Sequence, residues 1–490
     1  MAFGSSLAYF VAAAHMAAAA TFTIPSNVNA GGLSYAPLEP APISLSFEFF
    51  AFPSYFRNVT TTNQCLSNLK ELTGTWPPIR IGGTTQDRAV YDASTSADVI
   101  YSVKDVADAP LALTFGPSFI ELAATYAGNV TLGLNRGKNN LNNTIAAGKV
   151  AVREMANLYA IELGNEPEYW SGVQPIASGR WGPIADAKSQ DTWAIAFGDA
   201  VGRKDIIQAG NSNVPPPQWG AEELIRGSNT TMRQYVRTYS HHNYPGGTVA
   251  SLMSHANIAK DIHVFDADIV SALAVNKPYV FGETNSVAGG GAETVSPSFG
   301  AALWVMDYSV RSAVSNVSRS YFHQGTIGNS PYSFFGRSSI GTPYVGAYVA
   351  TAFMAGAKHV AALDDGKSAL AAYVTFDTAG APLRALLYNS NYYNGSGNRS
   401  SESFVLGMSD LTKTFVQSKR VTAASAEARQ DRGDTALFGQ QYFNNETCII
   451  DGTETFETTV VVGDQAVFQV AASEALLVYL QEGTVDINPS

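Results

Sequence analysis

The sequence YAIELGNEPEYW at residues 159–170 joins an apolar run to a group of polar and aromatic side chains. Ile161 and Leu163 are typical of the interior of a short buried strand, and Pro167 ends that strand. Glu166 is therefore expected at the C-terminal end of the strand. In a (β/α)8 barrel this end of every strand faces the active site, so a carboxylate there favours catalysis over a structural role.

A second stretch, KPYVFGETNSV at residues 277–287, has the same form and carries Glu283. The two glutamates are 283 − 166 = 117 positions apart. This separation leaves room for about three further strand-helix units of roughly 30 residues each. We therefore place Glu166 at the fourth strand and Glu283 at the seventh, and these strands face each other across the barrel mouth.

This spacing, with an asparagine directly before the first glutamate, resembles the retaining glycosidases that are built on this barrel. Their reaction needs one carboxylic acid that protonates the leaving oxygen and one carboxylate that attacks the anomeric carbon, about 5 Å apart. Two glutamates on facing strands would meet that requirement.

The rest of the chain predicts an α/β fold, a (β/α)8 TIM barrel followed by an antiparallel β-sandwich. Alternating strand and helix patterns fill residues 41–344, whereas short alternating β runs separated by turn residues follow from 345. We expect a signal peptide at 1–20, an N-terminal extension that adds to the sandwich at 21–40, the catalytic barrel at 41–344 and the C-terminal β-sandwich domain at 345–490. The last domain is expected to pack against the barrel, with carbohydrate binding as the alternative.

Besides strands four and seven, the barrel needs six further strands, and each has a candidate segment. These segments are residues 43–52, 78–87, 130–135, 205–210, 238–247 and 319–325. Glu48 lies inside the first apolar run, and its position fits both a paired core carboxylate and a residue that reaches the barrel mouth.

Length and charge restrict the classes of function. A chain of 490 residues exceeds what one core usually supports, which predicts two domains. The formal net charge of −11 argues against a nucleic-acid partner. No motif of paired Cys and His or of H-E-x-x-H type is present, so we expect neither a metal nor a cofactor. We also expect a monomer without a membrane partner.

The first twenty residues carry an apolar stretch of signal-peptide length with small residues before Thr21, which predicts secretion. They contain no lysine or arginine, so a short buried helix is the alternative. Eight sequons are compatible with N-glycosylation on a secretory route. They begin at Asn58, Asn129, Asn142, Asn229, Asn316, Asn394, Asn398 and Asn445.

The two cysteines, Cys65 and Cys448, lie far apart in the sequence. A disulfide that ties the barrel to the C-terminal domain and a pair of separate buried thiols are both compatible with this spacing.

Four motifs together resemble family 79 of the glycoside hydrolases, which contains β-glucuronidases and heparanase. They are RIGGTTQD on strand two, ELGNEPEYW on strand four, GETNSVAGGGAE on strand seven and FHQGTIGNSPYSF at strand eight. The third is the most specific, because a glycine run follows the glutamate at a fixed distance. The resemblance covers residues 42–335 in motifs and the whole chain in architecture.

The resemblance implies a role for each matched residue. Glu166 matches the acid/base, Glu283 the nucleophile, and Asn165 the residue that binds the 2-hydroxyl of the sugar. Glu48 and Thr84 match positions that contact the sugar in the −1 subsite.

A uronic acid carboxylate is implied to bind to the backbone amides of Gly290 and Gly291 and to the Tyr332 hydroxyl, since neutral N–H and O–H groups can hold such a carboxylate. Loop packing is the alternative for Tyr332. Tyr244 is expected to orient the nucleophile, although Asn243 stands beside it where some family members carry a second tyrosine.

The resulting hypothesis is a secreted, retaining exo-β-glucuronidase that removes terminal glucuronic acid, or its 4-O-methyl form, from glycans or glycosides. An endo-β-glucuronidase, a neutral β-glycosidase of the same clan, and a non-catalytic carbohydrate-binding protein are the alternatives. Glu162 and Glu168, close to Glu166, are predicted to be solvated or structural.

Overall fold

The computed structural model describes residues 19–481 except 31, 337–339, 409, 410 and 412. Eight parallel strands close into a barrel in which each strand pairs with its sequence neighbour and the eighth pairs with the first. The strands are β1 (Ile43–Glu48), β2 (Ile79–Gly82), β3 (Val130–Leu134), β4 (Leu158–Leu163), β5 (Ile207–Ser212), β6 (Val236–Asn243), β7 (Tyr279–Thr284) and β8 (Val317–Gln324).

Helices surround the barrel and bury the outer face of its strands, so the strands read as nearly continuous buried runs. The helices are α1 (Phe52–Arg57), α2 (Thr61–Thr73), α3 (Pro117–Ala124), α4 (Leu141–Glu154), α5 (Pro183–Val201), α6 (Ala221–Gly227), α7 (Val249–Leu252), α8 (His255–His263), α9 (Asp266–Ala274), α10 (Phe299–Val314) and α11 (Pro343–Met354). The barrel and the antiparallel sheets that follow it confirm the predicted fold class.

The loop after β2 carries a small three-stranded sheet in a region whose boundaries the sequence pattern did not define. Its strands are Ala89–Tyr91, Val99–Tyr101 and Leu113–Phe115. Asn329, in the loop after β8, donates a hydrogen bond from Nδ2 to the Ala107 carbonyl at 3.0 Å. The insertion therefore lies at the C-terminal face of the barrel.

The C-terminal region forms two packed sheets and a separate two-stranded antiparallel sheet, in which Tyr442–Phe443 pairs with Ile450–Asp451. Its strands are β9 (His359–Ala362), β10 (Leu370–Phe376), β11 (Pro382–Asn389), β12 (Ser401–Gly407), β13 (Phe415–Thr422), β14 (Leu437–Phe438), β15 (Tyr442–Phe443), β16 (Ile450–Asp451), β17 (Glu457–Val460), β18 (Gln465–Ala471) and β19 (Glu474–Tyr479). Phe404 and Phe468 of the smaller sheet share an apolar core with Leu387 and Leu476 of the larger one.

The segment before the barrel contributes to both sheets of the sandwich. Ala20–Thr23 pairs with β12, and Ala36–Pro37 pairs with β9. The predicted signal peptide at 1–20 lies outside the described residues, apart from its last two positions.

The interface between barrel and sandwich is partly apolar and partly ionic. His255 of α8 bonds Asp307 of α10 through Nδ1 and Asp364 after β9 through Nε2, both at 2.8 Å. The Tyr373 hydroxyl of β10 donates to Asp307 at 2.6 Å. Burial lowers the pKa of His255, but the two carboxylates outweigh it and raise that pKa to about 10. A buried imidazolium thus links the two domains.

Cys65 of α2 and Cys448 of the C-terminal domain form a disulfide. Asn68, one turn further along α2, donates to the Cys448 carbonyl at 2.7 Å, so the same contact is held by a hydrogen bond as well. Of the two alternatives that the sequence left open, the structure has the disulfide. Among the described residues, no helix combines the length and apolar character that a membrane span requires.

Candidate active site

Glu166 and Glu283 meet at the mouth of the barrel. One oxygen of each, together with a ring nitrogen of His242, lies within 4.8 Å of the others. Glu283 is the fifth residue of β7, and Glu166 follows the end of β4 by three residues. Glu166 has φ 49° and ψ 62°, a left-handed conformation that is costly for a residue with a side chain. In this conformation the Glu166 carboxyl group lies next to His242 and Glu283.

Glu283 is held in one orientation by two donors. The Tyr244 hydroxyl donates to Oε1 at 2.5 Å, and the Arg80 guanidinium donates to Oε2. His323 Nδ1 lies 3.7 Å from Oε2. Burial alone would raise the pKa of Glu283, but neighbouring positive groups, His323 and Arg80 among them, and the Tyr244 hydrogen bond lower it. The lowered pKa favours the ionised carboxylate form of Glu283.

Arg80 lies at the centre of a buried network beneath the two glutamates. Its guanidinium pairs with Glu162, and both side chains are fully buried. It also donates to the Asn165 Oδ1 at 2.8 Å. Gln208 donates to the second oxygen of Glu162 at 2.8 Å. Burial lowers the pKa of Arg80, but the carboxylates of Glu162 and Glu283 outweigh it and raise that pKa, so Arg80 keeps its positive charge next to Glu283.

Glu166 has the opposite electrostatic setting. Burial and the negative charge of Glu283 raise the pKa of Glu166 to about 8, against the opposing charges of Arg80 and His323. Its Oε1 lies 3.1 Å from His242 Nδ1. Burial lowers the pKa of His242, which keeps the ring neutral. One glutamate is thus held as a carboxylic acid and the other as a carboxylate, which is the division of roles that acid-assisted displacement needs.

The backbone around Asn165 is fixed by Asp87. One oxygen of Asp87 accepts the amides of Arg136 and Gly137 at 2.9 and 2.8 Å, and the other accepts the Asn165 amide at 2.6 Å. Burial raises the pKa of Asp87 to about 6, against these hydrogen bonds. A single carboxylate therefore joins the loops that follow β2, β3 and β4.

Glu48 ends β1 and is turned towards the site. Its Oε1 accepts the Thr85 amide at 2.9 Å and the Thr85 hydroxyl at 2.5 Å, and its Oε2 lies 3.3 Å from His323 Nε2. Of the two positions that the sequence allowed, Glu48 occupies the barrel mouth, where it is also paired. Thr84 is exposed at the same rim, next to the residue that bonds Glu48.

Gly290, Gly291 and Tyr332 lie together beside the nucleophile. A Cβ added to Gly291 would be 3.0 Å from the Tyr332 amide, so the loop after β7 packs directly on the loop after β8. The Tyr332 ring lies 6.3 Å from that of Tyr244. In the part of the chain that the structure describes, neither the Gly290 nor the Gly291 amide donates to a protein acceptor. Both residues have a φ angle near 100°, a conformation that favours glycine.

The other two glutamates near Glu166 have structural contacts. Glu162 is completely buried as the partner of Arg80, so the solvated alternative does not apply to it. Glu168 accepts the backbone amides of Asn213 and Val214, which fixes the loop after β5.

Sequence reasoning missed Arg80, His242 and His323 as members of the site. A signal was present for Arg80, because it stands inside the apolar run PIRIGG as Glu48 does inside its own run. A charged residue in a barrel strand needs a partner in the interior. The partners themselves could not be identified, because they come from different strands.

By distance alone, Glu166, His242 and Glu283 could hold a metal ion. The Arg80 guanidinium already bonds an oxygen of Glu283, so a second cation would be placed against a fixed positive charge. The hydrogen bonds and the ion pair of the two glutamates explain why these three side chains lie close together.

The chain is similar to proteins of known activity. The profile of the glycosyl hydrolase family 79 C-terminal beta domain matches residues 372–477. A β-glucuronidase from Aspergillus niger is 32% identical over 385 residues, which cover 68% of this chain and 69% of that protein. A β-glucuronidase from Neurospora crassa is 31% identical over 391 residues, which cover 68% of each chain.

Solved structures agree with these matches. The crystal structure of a 4-O-α-L-rhamnosyl-β-D-glucuronidase from Fusarium oxysporum, in complex with Rha-GlcA, has a TM-score of 0.91 and 48% identity. The match covers 94% of this chain and 100% of that chain. A family 51 α-L-arabinofuranosidase from Bifidobacterium longum has a TM-score of 0.63 at 11% identity, covers 94% of this chain and 99% of that chain, and shares the fold alone.

Proposed function

Because this chain belongs to family 79 of the glycoside hydrolases, we propose that it is a secreted, retaining exo-β-glucuronidase. The observation that carries the proposal is the pair of glutamates, with oxygens within 4.8 Å of each other and pKa values shifted in opposite directions. Retaining enzymes hold their carboxyl groups about 5 Å apart, whereas inverting enzymes leave roughly 6.5–9.5 Å for a water molecule.

The reaction proceeds in two displacements. In the first, the Glu283 carboxylate forms a bond to the anomeric carbon while the bond to the leaving oxygen breaks and Glu166 gives that oxygen its proton. Esterification removes the charge of Glu283, which allows Glu166 to stay ionised. In the second, Glu166 takes a proton from water, the water oxygen bonds to the anomeric carbon, and Glu283 leaves as a carboxylate.

Arg80 and Tyr244 contribute by orientation. Both donate to Glu283 in the resting enzyme, so the attacking oxygen is already aligned before substrate binds. Asn165 is fixed by Asp87 and Arg80, and its amide side chain is available to the 2-hydroxyl of the sugar in the −1 subsite.

Preference for a uronic acid is supported by the neutral donors next to the nucleophile. The amides of Gly290 and Gly291, which bond no backbone acceptor in the described part of the chain, and the hydroxyl of Tyr332 are neutral hydrogen-bond donors. A carboxylate accepts such bonds well, whereas the hydroxymethyl group of a neutral sugar would leave some of them unmade.

Secretion is supported by the apolar leader and by the sequons. Seven of the eight sequon asparagines are exposed, and Asn316 is half-buried, so glycans could be attached to the folded surface. The disulfide between Cys65 and Cys448 also fits an oxidising compartment.

The first expected result concerns substrate choice. At mildly acidic pH the enzyme should hydrolyse a chromogenic β-D-glucuronide far faster than the matching β-glucoside or β-galactoside, because only the uronate carboxylate fills the pocket at Gly290, Gly291 and Tyr332. Initial rates on the three substrates measure this, and ¹H NMR of the first product should show the β-anomer. A preference for a neutral sugar would leave the catalytic pair in place and exclude the uronate pocket.

A second candidate activity is hydrolysis of glucuronides that carry a sugar on O4. It is favoured by the 48% identity to the Fusarium oxysporum enzyme over 94% of this chain, compared with 32% over 68% for the Aspergillus niger enzyme. Release of 4-O-rhamnosyl-glucuronic acid, measured beside release of unsubstituted glucuronic acid from the same aglycone, separates the two activities. Internal cleavage of a glucuronic acid polymer would instead indicate endo action.

The pH dependence follows from the two catalytic residues. Glu166 must be protonated in the free enzyme, and its pKa is raised to about 8, so kcat/KM should fall as the pH rises through about 8. Glu283 has a lowered pKa and stays ionised, so it should cause no loss on the mildly acidic side. A kcat/KM profile on a stable glucuronide checks both statements. A kcat/KM that already falls as the pH rises through about 5 would contradict the raised pKa of Glu166.

A further inference from the structure

The turn that carries Glu166 ends in two aromatic residues, of which Tyr169 is exposed and Trp170 is buried. Trp170 is buried, donates to the Asn165 carbonyl at 2.9 Å and stacks on Trp181 at 5.9 Å. Trp181 in turn donates to the Pro167 carbonyl at 2.8 Å. Tyr169, between these fixed points, leaves 56% of its surface exposed. The Tyr169 ring is thus exposed on a rigid turn, three residues from the catalytic acid.

The loop after β5 supports this ring from the side. Glu168 holds that loop by accepting the amides of Asn213 and Val214. The Tyr169 hydroxyl lies beside the Asn213 side chain and within the electrostatic influence of Glu168 and Glu166. The exposed ring of Tyr169 and the side-chain amide of Asn213 therefore form one surface, next to Glu166.

The position of the acid determines which part of the substrate meets this surface. Glu166 gives its proton to the leaving oxygen, so the leaving group must lie on the side of Glu166, and the glucuronic acid ring on the side of Glu283. A ring attached to the leaving oxygen would lie next to the turn at residues 166–170. Apolar C–H faces of sugars pack on aromatic rings, while their hydroxyl groups need polar partners at the rim.

We propose that Tyr169 and Asn213 form the subsite for the leaving group and that this subsite binds a pyranose ring. The inference rests on the proposed glucuronidase function and adds the class of the leaving group. An aryl or alkyl alcohol would use the Tyr169 ring but not the adjacent side-chain amide of Asn213. A sugar uses both, stacking its C–H face on the ring and donating its hydroxyl groups to the polar rim.

Two substrates with the same need for acid assistance test the subsite. One is a β-glucuronosyl-galactose disaccharide, and the other is methyl β-D-glucuronide, which has no ring on the leaving side. In Tyr169→Ala, kcat/KM for the disaccharide should fall about tenfold, the equivalent of one good aromatic contact. Turnover of the methyl glucuronide should stay within about twofold of wild type, since Glu166 is unchanged.

Two further variants sharpen the result. Tyr169→Phe keeps the ring and should retain most of the preference for the disaccharide. Tyr442→Ala removes a tyrosine on the C-terminal domain that is 38% exposed and should leave both substrates unaffected.

Three outcomes would overturn the subsite. An equal loss on both substrates in Tyr169→Ala would mean that Tyr169 acts only by positioning Glu166. No loss on either substrate would mean that the leaving group binds elsewhere. A wild-type enzyme that cleaves neither glucuronide would refute the proposed function, and the subsite with it.

Discussion

Glu283→Gln should lower kcat by about 10⁴-fold or more while the protein remains folded, because the amide cannot form the bond to the anomeric carbon. Glutamine has nearly the same shape as glutamate: its amide oxygen can accept from Arg80, and its NH2 group can donate to the Tyr244 hydroxyl oxygen. Both substrate binding and the fold should therefore change much less than turnover. Steady-state kinetics on an aryl glucuronide, with circular dichroism as the test of folding, measure the two effects separately.

The control for this variant is Glu71→Gln, an exposed residue on α2 outside the barrel mouth, which should keep wild-type turnover. A stronger test uses Glu283→Ala with azide, since the small anion can enter the space left by the carboxylate and attack from the same face. Rescue should then yield the α-glucuronyl azide.

A mechanism-based 2-fluoro glucuronide provides an independent check of the roles. Peptide mapping of the wild-type enzyme should find the covalent sugar on Glu283. An adduct on Glu166 would reverse the two roles, and near wild-type turnover by Glu283→Gln would remove Glu283 from the mechanism.

Arg80→Met should destabilise the protein by about 3–5 kcal/mol, because it leaves the fully buried Glu162 without its cation. The same change removes a donor from Glu283, and kcat should fall by about 100-fold or more. The pKa of Glu283 should rise without the guanidinium, so activity should now be lost as the pH falls. Denaturant unfolding and a kcat/KM profile measure these effects.

A double variant separates the structural from the catalytic contribution of Arg80. Arg80→Met with Glu162→Gln removes the unpaired charge at nearly constant volume, so much of the stability should return while activity stays low. Arg153→Met serves as the control, since Arg153 pairs with Glu154 on the surface with 67% of its side chain exposed. Recovery of activity in the double variant would show that Arg80 acts only on stability.

The effects of Arg80 and Glu283 are expected to be coupled, because the two side chains are in direct contact. The same arginine neutralises a structural glutamate and orients a catalytic one. Stability of the barrel interior and alignment of the nucleophile therefore depend on one side chain.

Periodicity and motif spacing were sufficient for the fold and for the two glutamates that meet at the barrel mouth. Several barrel strands contain a short apolar run with a turn residue after it, as residues 279–281 before Gly282 do, and this local pattern can be recognised in a single sequence. Glu166 and Glu283 stand out because each follows such a run directly. The helix Phe299–Val314 begins after Ser298, whose side chain accepts the Ala301 amide, and such a cap is a local feature as well.

Contacts between distant segments could not be obtained in this way. Whether Cys65 and Cys448 are bonded depends on where α2 meets the sandwich, 383 positions along the chain. His242 and His323 reach the glutamates only because strands six and eight of a closed barrel direct their ends towards the same mouth. The residues next to His242 and His323 in the sequence do not indicate that these rings lie near the glutamates.

The sequence by itself determined the barrel, the sandwich after it and the position of the two glutamates at strand ends. Hydrophobic periodicity, turn residues and strand-end motifs are local patterns, each of which needs only a few consecutive residues. Only the tertiary structure decided the charge state of those glutamates. The protonated state of Glu166 and the ionised state of Glu283 depend on burial and on Arg80, which comes from a third strand. Electrostatic energies depend on distance through space and on desolvation, and neither is encoded at any single position of the chain.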